Sequence, residues 1–151
     1  MKKIKGNLIE LALTGKFELI VHGCNCMCTM GAGIAKQIKQ EFPEAYAADC
    51  KTIKADRQKL GTISYAIIQR NNIDLTVVNA YTQFNWRGKG VLVNYDAVRS
   101  AFKTIKKQFS GKAIAYPKIG AGLARGDWNI INQIIDRELQ NENHTFVEFD
   151  P

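Results

Sequence analysis

Met30-Gly31-Ala32-Gly33-Ile34-Ala35 and Ile119-Gly120-Ala121-Gly122-Leu123-Ala124 repeat one pattern, apolar-Gly-Ala-Gly-apolar-Ala, at two distant points of the chain. Each follows a run that reads as a buried strand, and a helical pattern comes after each. Glycine lets the backbone turn through positive φ and approach a ligand closely. A helix starting just beyond offers free N–H groups and a positive dipole end to an anion. In an open α/β sheet such loops lie at the carboxyl ends of strands, so two of them can face each other across one crevice, a geometry that suits a diphosphate. The plainer reading of each pair is a tight strand-to-helix turn.

The segments around these loops give the architecture. Phe17 to Val21 reads as a short buried strand that ends in a polar, cysteine-rich turn. After Gly33, the positions Ile34, Ala35, Ile38 and Phe42 keep helical spacing until Pro43 breaks the pattern and restarts a short helix through Tyr46 and Ala47. Thr62 to Gln69 and Ile73 to Asn79 are rich in β-branched residues and are separated by Arg70, Asn71 and Asn72, which predicts a hairpin. Tyr95, Val98, Phe102 and Ile105 describe a helix ending before Gly111, and Ala113 to Tyr116 a strand ending at Pro117. Asp127 is a plausible N-cap for a helix turning Ile130, Ile131, Ile134, Ile135 and Leu139 inward, and Thr145 to Phe149 closes the chain as a strand. Strands alternating with helices, interrupted by one hairpin, predict a mixed sheet covered by helices on both faces.

The 151 residues, 46% hydrophobic and 23% charged, match one ordinary domain spanning 1–151. No apolar run approaches the roughly 20 residues that span a bilayer, and no signal-peptide pattern follows the Met-Lys-Lys start, so a soluble cytoplasmic protein is expected. Three of the four cysteines, Cys24, Cys26 and Cys28, crowd alternate positions, with Cys50 apart. Neighbouring thiols of this kind seldom form a disulfide framework, and reduced thiols are expected. A formal net charge of +7 favours anionic partners. Lys103, Lys106 and Lys107 read as the solvated face of an amphipathic helix, and no zinc-finger spacing or aromatic-interleaved basic tract supports nucleic-acid binding.

Several familiar chemistries are absent. Lys36 and Arg125 stand where a Rossmann loop has its third glycine, and there is no GxxxxGK[ST] phosphate loop. Met30, Ala32 and Ile34 occupy the positions at which a cysteine phosphatase needs arginine. Cys-x-Cys-x-Cys with His22 departs from structural zinc spacing, so no metal is expected. Among polar candidates, His22 can exchange a proton near neutrality or serve as a structural hydrogen-bonding residue. Asn25 can meet a sugar hydroxyl or cap the turn. Asp127 can orient water as a general base or simply cap its helix. Tyr81, Phe84 and Trp86 can stack on a ribose or adenine, or pack over the core edge.

Taken in order, these motifs resemble the macrodomain family. Gly6-Asn7-Leu8 is similar to its opening Gly-Asp-Ile segment, His22-Gly23-Cys24-Asn25-Cys26 to its Asn-rich strand end, and Met30 to Ala35 to its first phosphate-side loop. Asn79-Ala80-Tyr81-Thr82-Gln83 and Pro117-Lys118-Ile119-Gly120-Ala121-Gly122-Leu123-Ala124 resemble its later motifs, so the likeness covers nearly the whole chain. It implies a three-layer α/β/α fold with a mixed, mostly parallel sheet of about six strands.

Within that family the His-x-Cys-Asn strand and the Gly-Leu-Ala-x-Gly-Asp-Trp ending look most like the small phosphatases acting on ADP-ribose 1″-phosphate. The resemblance implies that Asn25 touches the distal ribose, that His22 and Asp127 flank the terminal phosphate, and that the backbones of Met30, Gly31, Ala32, Gly33 and Ile34 and of Ile119, Gly120, Ala121, Gly122, Leu123 and Ala124 hold the diphosphate. It also places Asn7 and Leu8 near adenine and Tyr81, Thr82 and Gln83 along the ligand. No cofactor is implied. A related branch removes ADP-ribose from carboxylates with a lysine and an aspartate, whose positions hold Tyr81 and Ala124 here. Expected partners are ADP-ribose or ADP-ribose 1″-phosphate. A non-catalytic module for ADP-ribose or ADP-ribosylated proteins, an ADP-ribosyl hydrolase and an RNA- or poly(A)-binding module are the alternatives.

Overall fold

Three helices start on a side chain that folds back onto the first turn. Asn7 Oδ1 accepts from Glu10 N at 3.1 Å, Asn94 Oδ1 from Ala97 N at 2.9 Å, and Asp127 Oδ1 from Asn129 N at 2.9 Å. Each satisfies an amide that has no partner inside the helix. The helices they begin are α1 (Leu8–Leu13), α4 (Tyr95–Phe109) and α5 (Trp128–Glu138). Between α1 and α4 lie α2 (Gly33–Glu41) and α3 (Pro43–Cys50), the latter opened by proline at its first position. The computed structural model describes residues 1–70 and 72–151.

Six strands, β1 (Lys2–Gly6), β2 (Leu19–Cys24), β3 (Ile63–Arg70), β4 (Ile73–Tyr81), β5 (Ile114–Tyr116) and β6 (His144–Phe149), form one sheet in the order β1-β6-β5-β2-β4-β3. Every pairing is parallel except β3 with β4. Alternate residues of the sheet build two cores. Leu19, Val21, Val78, Ile114 and Tyr116 face Val98, Phe102, Ile105, Ile131 and Ile135 of α4 and α5. Ile20, Val77, Ala115 and Val147 pack with Leu8, Ile9, Ile38, Phe42 and Ala45 of α1 to α3. This is the expected three-layer α/β/α arrangement with a mixed, mostly parallel six-stranded sheet.

Four details depart from the sequence reading. Strand β2 runs on through His22 and Gly23 to Cys24, because its pairing with β4 continues to Cys24 opposite Tyr81. Ile130 is 42% exposed on α5 while Ile131, Ile134 and Ile135 turn inward. The N-terminal residues, for which no element was expected, supply β1 and α1; β1 is an edge strand with Lys2, Lys3 and Lys5 exposed and Ile4 half-buried. In the hairpin, Arg70 pairs with Ile73 and Asn72 adopts a φ of 63°, while Asn71 lies outside the described residues.

Because β2 extends, the imidazole of His22 points into the core and is fully buried. Its Nε2 lies 2.7 Å from Asn79 Oδ1, and Asn79 Nδ2 donates onward to Ala45 O and Ser64 Oγ, both at 3.0 Å. Burial holds the imidazole neutral, lowering its pKa from 6.5 to about 4 against the smaller opposing effect of the Asn79 bond.

Truncating Phe102, fully buried between α4 and the sheet, to alanine should cost about 3–5 kcal/mol in a urea unfolding curve. His22 makes stability pH-dependent. The unfolded chain takes up a proton below about pH 6.5 and the folded protein only near pH 4, so stability should fall as pH drops across that window and be level above it. The loss is on the order of 3 kcal/mol, and His22→Gln should flatten this part of a pH–stability profile relative to wild type.

Candidate functional site

The carboxyl ends of β2, β4 and β5 carry three loops, residues 25–32, 82–94 and 117–127. In the first, Asn25 shapes the chain itself. Its Nδ2 donates to Thr29 O at 3.2 Å and Thr29 Oγ1 at 2.9 Å, and its Oδ1 accepts from Met27 N at 2.9 Å. Cys26 is tied from both sides, its N–H donating to Phe84 O at 2.9 Å and its carbonyl accepting from Ala55 N at 2.8 Å. Met30 is buried beside Cys24, Cys26 and Tyr81, whereas Gly31, Ala32 and Gly33 lie exposed. Gly33 has a φ of 58°, and no side chain caps the start of α2. The first-turn amides of that helix are therefore left for an anion.

The loop after β5 is closed differently. Gly126 N donates to Gly120 O at 2.7 Å and Arg125 N to Gly122 O at 3.0 Å, while Leu92 N reaches across to Ala124 O at 2.9 Å. Gly120 has a φ of 72°, and a methyl group there would meet Val93 Cγ2 at 2.7 Å. Ile119 and Ala124 are buried anchors, Ala121 is half-buried, and Gly122 and Leu123 stand out into solvent. The second glycine pair does not open a helix directly: α5 starts only at Trp128, and its first turn is capped by Asp127.

The two loops meet. A Cβ on Gly33 would lie 3.6 Å from Leu123 Cδ1, an ordinary van der Waals contact, so the two glycine motifs lie side by side. Beside Ile34 is a small pocket lined by Gly6, Asn7, Leu8, Ile34, Gln37, Pro117, Val147 and Phe149. Its last four polar or apolar contributors beyond Ile34 were not identified from sequence. Phe149, 65% exposed at the last position of a strand, is the one with a legible signal: a large aromatic left uncovered where strands end. Asn7 reaches this pocket, although its Oδ1 is engaged in capping α1.

Beyond the first loop lies a basic and aromatic rim. The Arg57 guanidinium stacks 3.9 Å from the Phe84 ring centroid, Arg87 lies 4.9 Å from that of Trp86, and Trp86 is 53% exposed. Arg125 Nη2 donates to Gly88 O at 2.9 Å, joining this rim to the second glycine loop.

The remaining candidates are distributed unevenly. His22 is bonded to Asn79 inside the core and Asp127 is exposed at the α5 cap, so neither is a hydrogen-bond partner of the other. Tyr81 is fully buried, its hydroxyl donating to Asp49 Oδ1 and paired with Ser64 Oγ, each at 2.7 Å. Desolvation raises the pKa of Tyr81, of Asp49 and of the Cys24 and Cys26 thiols. Gln83 is half-buried and donates to Asn85 O at 3.0 Å. Thr82 Oγ1 is buried without a partner, 2.8 Å from where a Cβ on Gly23 would stand. All four cysteines are free thiols. No described helix is long and apolar enough to cross a membrane.

Comparison with known proteins fits this geometry. A family model described as Macro domain matches residues 21–135. An uncharacterized 17.5 kDa protein of Enterobacteria phage T4 is 34% identical over 100% of this chain and 97% of its own. A DNA ADP-ribosyl glycohydrolase of Mycobacterium tuberculosis is 27% identical over 77% of this chain, which spans only 33% of that protein. An ADP-ribose 1″-phosphate phosphatase of Aspergillus oryzae is 44% identical over 30% of this chain and 21% of its own. Among solved structures, the macrodomain of Mycobacterium tuberculosis DarG superposes with a TM-score of 0.76 at 22% identity, covering 99% of this chain and 97% of that one. Thermosipho africanus DarTG in complex with ADP-ribose gives 0.76 at 17% identity, covering 99% and 42%. A sheet whose strand ends support two facing glycine loops, matched by the family model over most of its length and by a relative from end to end, makes this chain a member of the macrodomain family.

Proposed function

We propose that the chain binds ADP-ribose along the crevice and hydrolyses its link, through the terminal ribose, to a nucleic-acid acceptor. The observation that supports the binding is that Leu123 Cδ1 lies 3.6 Å from where a Cβ on Gly33 would stand, so that the two glycine loops lie side by side. In this reading the exposed amides of Gly31 to Ile34 and Gly120 to Leu123 hold the diphosphate, and adenine enters the pocket between Asn7, Ile34 and Phe149. The terminal ribose then extends past Asn25 toward the rim of Arg57, Phe84, Trp86 and Arg87. Exposed aromatic and guanidinium groups side by side suit unpaired bases and phosphates, as does the net charge of +7. The DNA ADP-ribosyl glycohydrolase named above supports this choice of acceptor.

His22, held neutral in the core, acts here as a positioning residue for the end of β2, and Asp127 supports the second loop by capping α5. A second reading, hydrolysis of ADP-ribose 1″-phosphate, is favoured by the 46-residue match to the phosphatase. It asks His22 and Asp127 to reach one phosphate, so the burial of His22 weighs against it.

Calorimetry should give saturable binding of ADP-ribose, and Gly120→Ala should weaken it at least about tenfold, a loss of about 1.4 kcal/mol or more. Failure to bind at millimolar concentration would contradict the binding claim. ADP-ribose should be released from an ADP-ribosylated single-stranded oligonucleotide, with kcat/KM falling as salt rises. Trp86→Ala and Arg87→Ala should lower that kcat/KM while leaving affinity for free ADP-ribose unchanged. Phosphate release from ADP-ribose 1″-phosphate with no action on the oligonucleotide would establish the second reading instead, and binding with neither release would mean a recognition module.

A further inference from the structure

Behind the first glycine loop lies a polar cluster that the crevice does not use. Lys59, at the end of the 3-10 turn Arg57–Lys59, is only 6% exposed. Its Nζ is fixed by Thr52 Oγ1 at 2.7 Å and Ile53 O at 3.3 Å, and it stands 4.7 Å from the Tyr81 ring centroid. Among the described residues no carboxylate lies within ion-pair distance of it. Its remaining close neighbour is Cys28 Sγ, at 3.4 Å. Cys28 is half-buried, and Thr52 Oγ1 and Thr52 O lie 3.6 and 3.7 Å from its sulfur. Asp49 completes the cluster. Its carbonyl oxygen lies 3.5 Å from Cys28 Sγ, its Oδ1 receives the Tyr81 hydroxyl, and its Oδ2 is buried with no partner at all.

We propose that Cys28 and Lys59 are an oxidation-linked pair, joined by a covalent sulfur–nitrogen bond when the protein meets a peroxide. In the first step the thiol sulfur attacks the peroxide, the O–O bond breaks, and Cys28 becomes a sulfenic acid with release of one water. In the second the Lys59 amine, having given up its ammonium proton, attacks the sulfenyl sulfur. The S–O bond breaks, and the hydroxyl leaves as water with one amine hydrogen. The sulfur supplies both electrons that reduce the peroxide, and the pair loses two hydrogen atoms in total. The ammonium proton is lost to solvent water, and the neutral amine that remains is the nucleophile.

The geometry favours this route over a disulfide. Cys26 is two residues away on the same loop but turned into the apolar cluster with Cys24, Met30 and Tyr81, and Cys50 is exposed on α3. The linkage would tie residues 25–32, one wall of the crevice, to the segment that carries Arg57.

The test is limited peroxide oxidation of the whole chain, alkylation of free thiols, proteolysis and tandem mass spectrometry. Wild type should yield the Cys28 peptide joined to the Lys59 peptide with loss of two hydrogens, reversed by dithiothreitol. Lys59→Arg keeps the charge without a condensing amine and should lose the linkage, leaving Cys28 sulfenic acid for dimedone to trap in severalfold greater yield. If Cys28 in wild type instead resists oxidation, proceeds to sulfinic acid without linkage, or pairs with Cys26 or Cys50, the proposal fails, whether or not the variant folds.

Discussion

The site depends on two backbone segments that come from opposite halves of the sequence and meet at one side chain. Leu123 reaches toward Gly33, and any side chain at that glycine would begin to fill the gap between them. The loop that presents Leu123 is held by its own main chain: the bond from Gly126 N to Gly120 O closes it, and Leu92 N ties it to the neighbouring loop. None of this requires a charged residue. In the proposed binding mode a wall made from main-chain donors would offer a diphosphate several donors without a charged side chain. The sheet supplies the alignment, since β2 and β5 are adjacent and parallel and so deliver both loops to one edge.

Beneath that edge, polar groups do work usually left to apolar packing. His22, Asn79 and the Ala45 carbonyl are joined through Ser64 Oγ to Tyr81 and Asp49 in one network of hydrogen bonds. They hold β2 and β4 to α3 at the level where both strands end. Buried polar networks are costly when incomplete and specific when satisfied. Two atoms here are not satisfied, Asp49 Oδ2 and Thr82 Oγ1, and both lie near the strand ends where function concentrates in folds of this kind.

Much of the fold was legible because it rests on periodicity. Ile34, Ile38 and Phe42, and Val98, Phe102 and Ile105, mark helices by spacing alone, and the run Arg70, Asn71 and Asn72 marks a hairpin. The twin Gly-Ala-Gly motifs marked the two loops that come side by side at Gly33 and Leu123. The histidine was harder. Read as part of a polar turn, His22 suits either proton exchange or a structural hydrogen bond, and only the continued pairing of β2 with β4 turns it inward. Strand length is set by the neighbouring strand, which local sequence does not contain. The same limit hid Gln37, Pro117, Val147 and Phe149, which line one pocket although they come from three separate segments. The rim around Trp86 was visible as isolated aromatics, but its arginines join it only through the folded contacts of Arg57 with Phe84 and Arg125 with Gly88.

The central claim, that both glycine loops grip one ligand, is open to direct measurement by following backbone amide resonances of the labelled protein as ADP-ribose is added. The amides of Gly31, Gly33, Gly120 and Gly122 should all shift, and their curves should fit a single dissociation constant. Shifts confined to one loop, or two loops titrating with separate constants, would mean that the crevice is not a shared site.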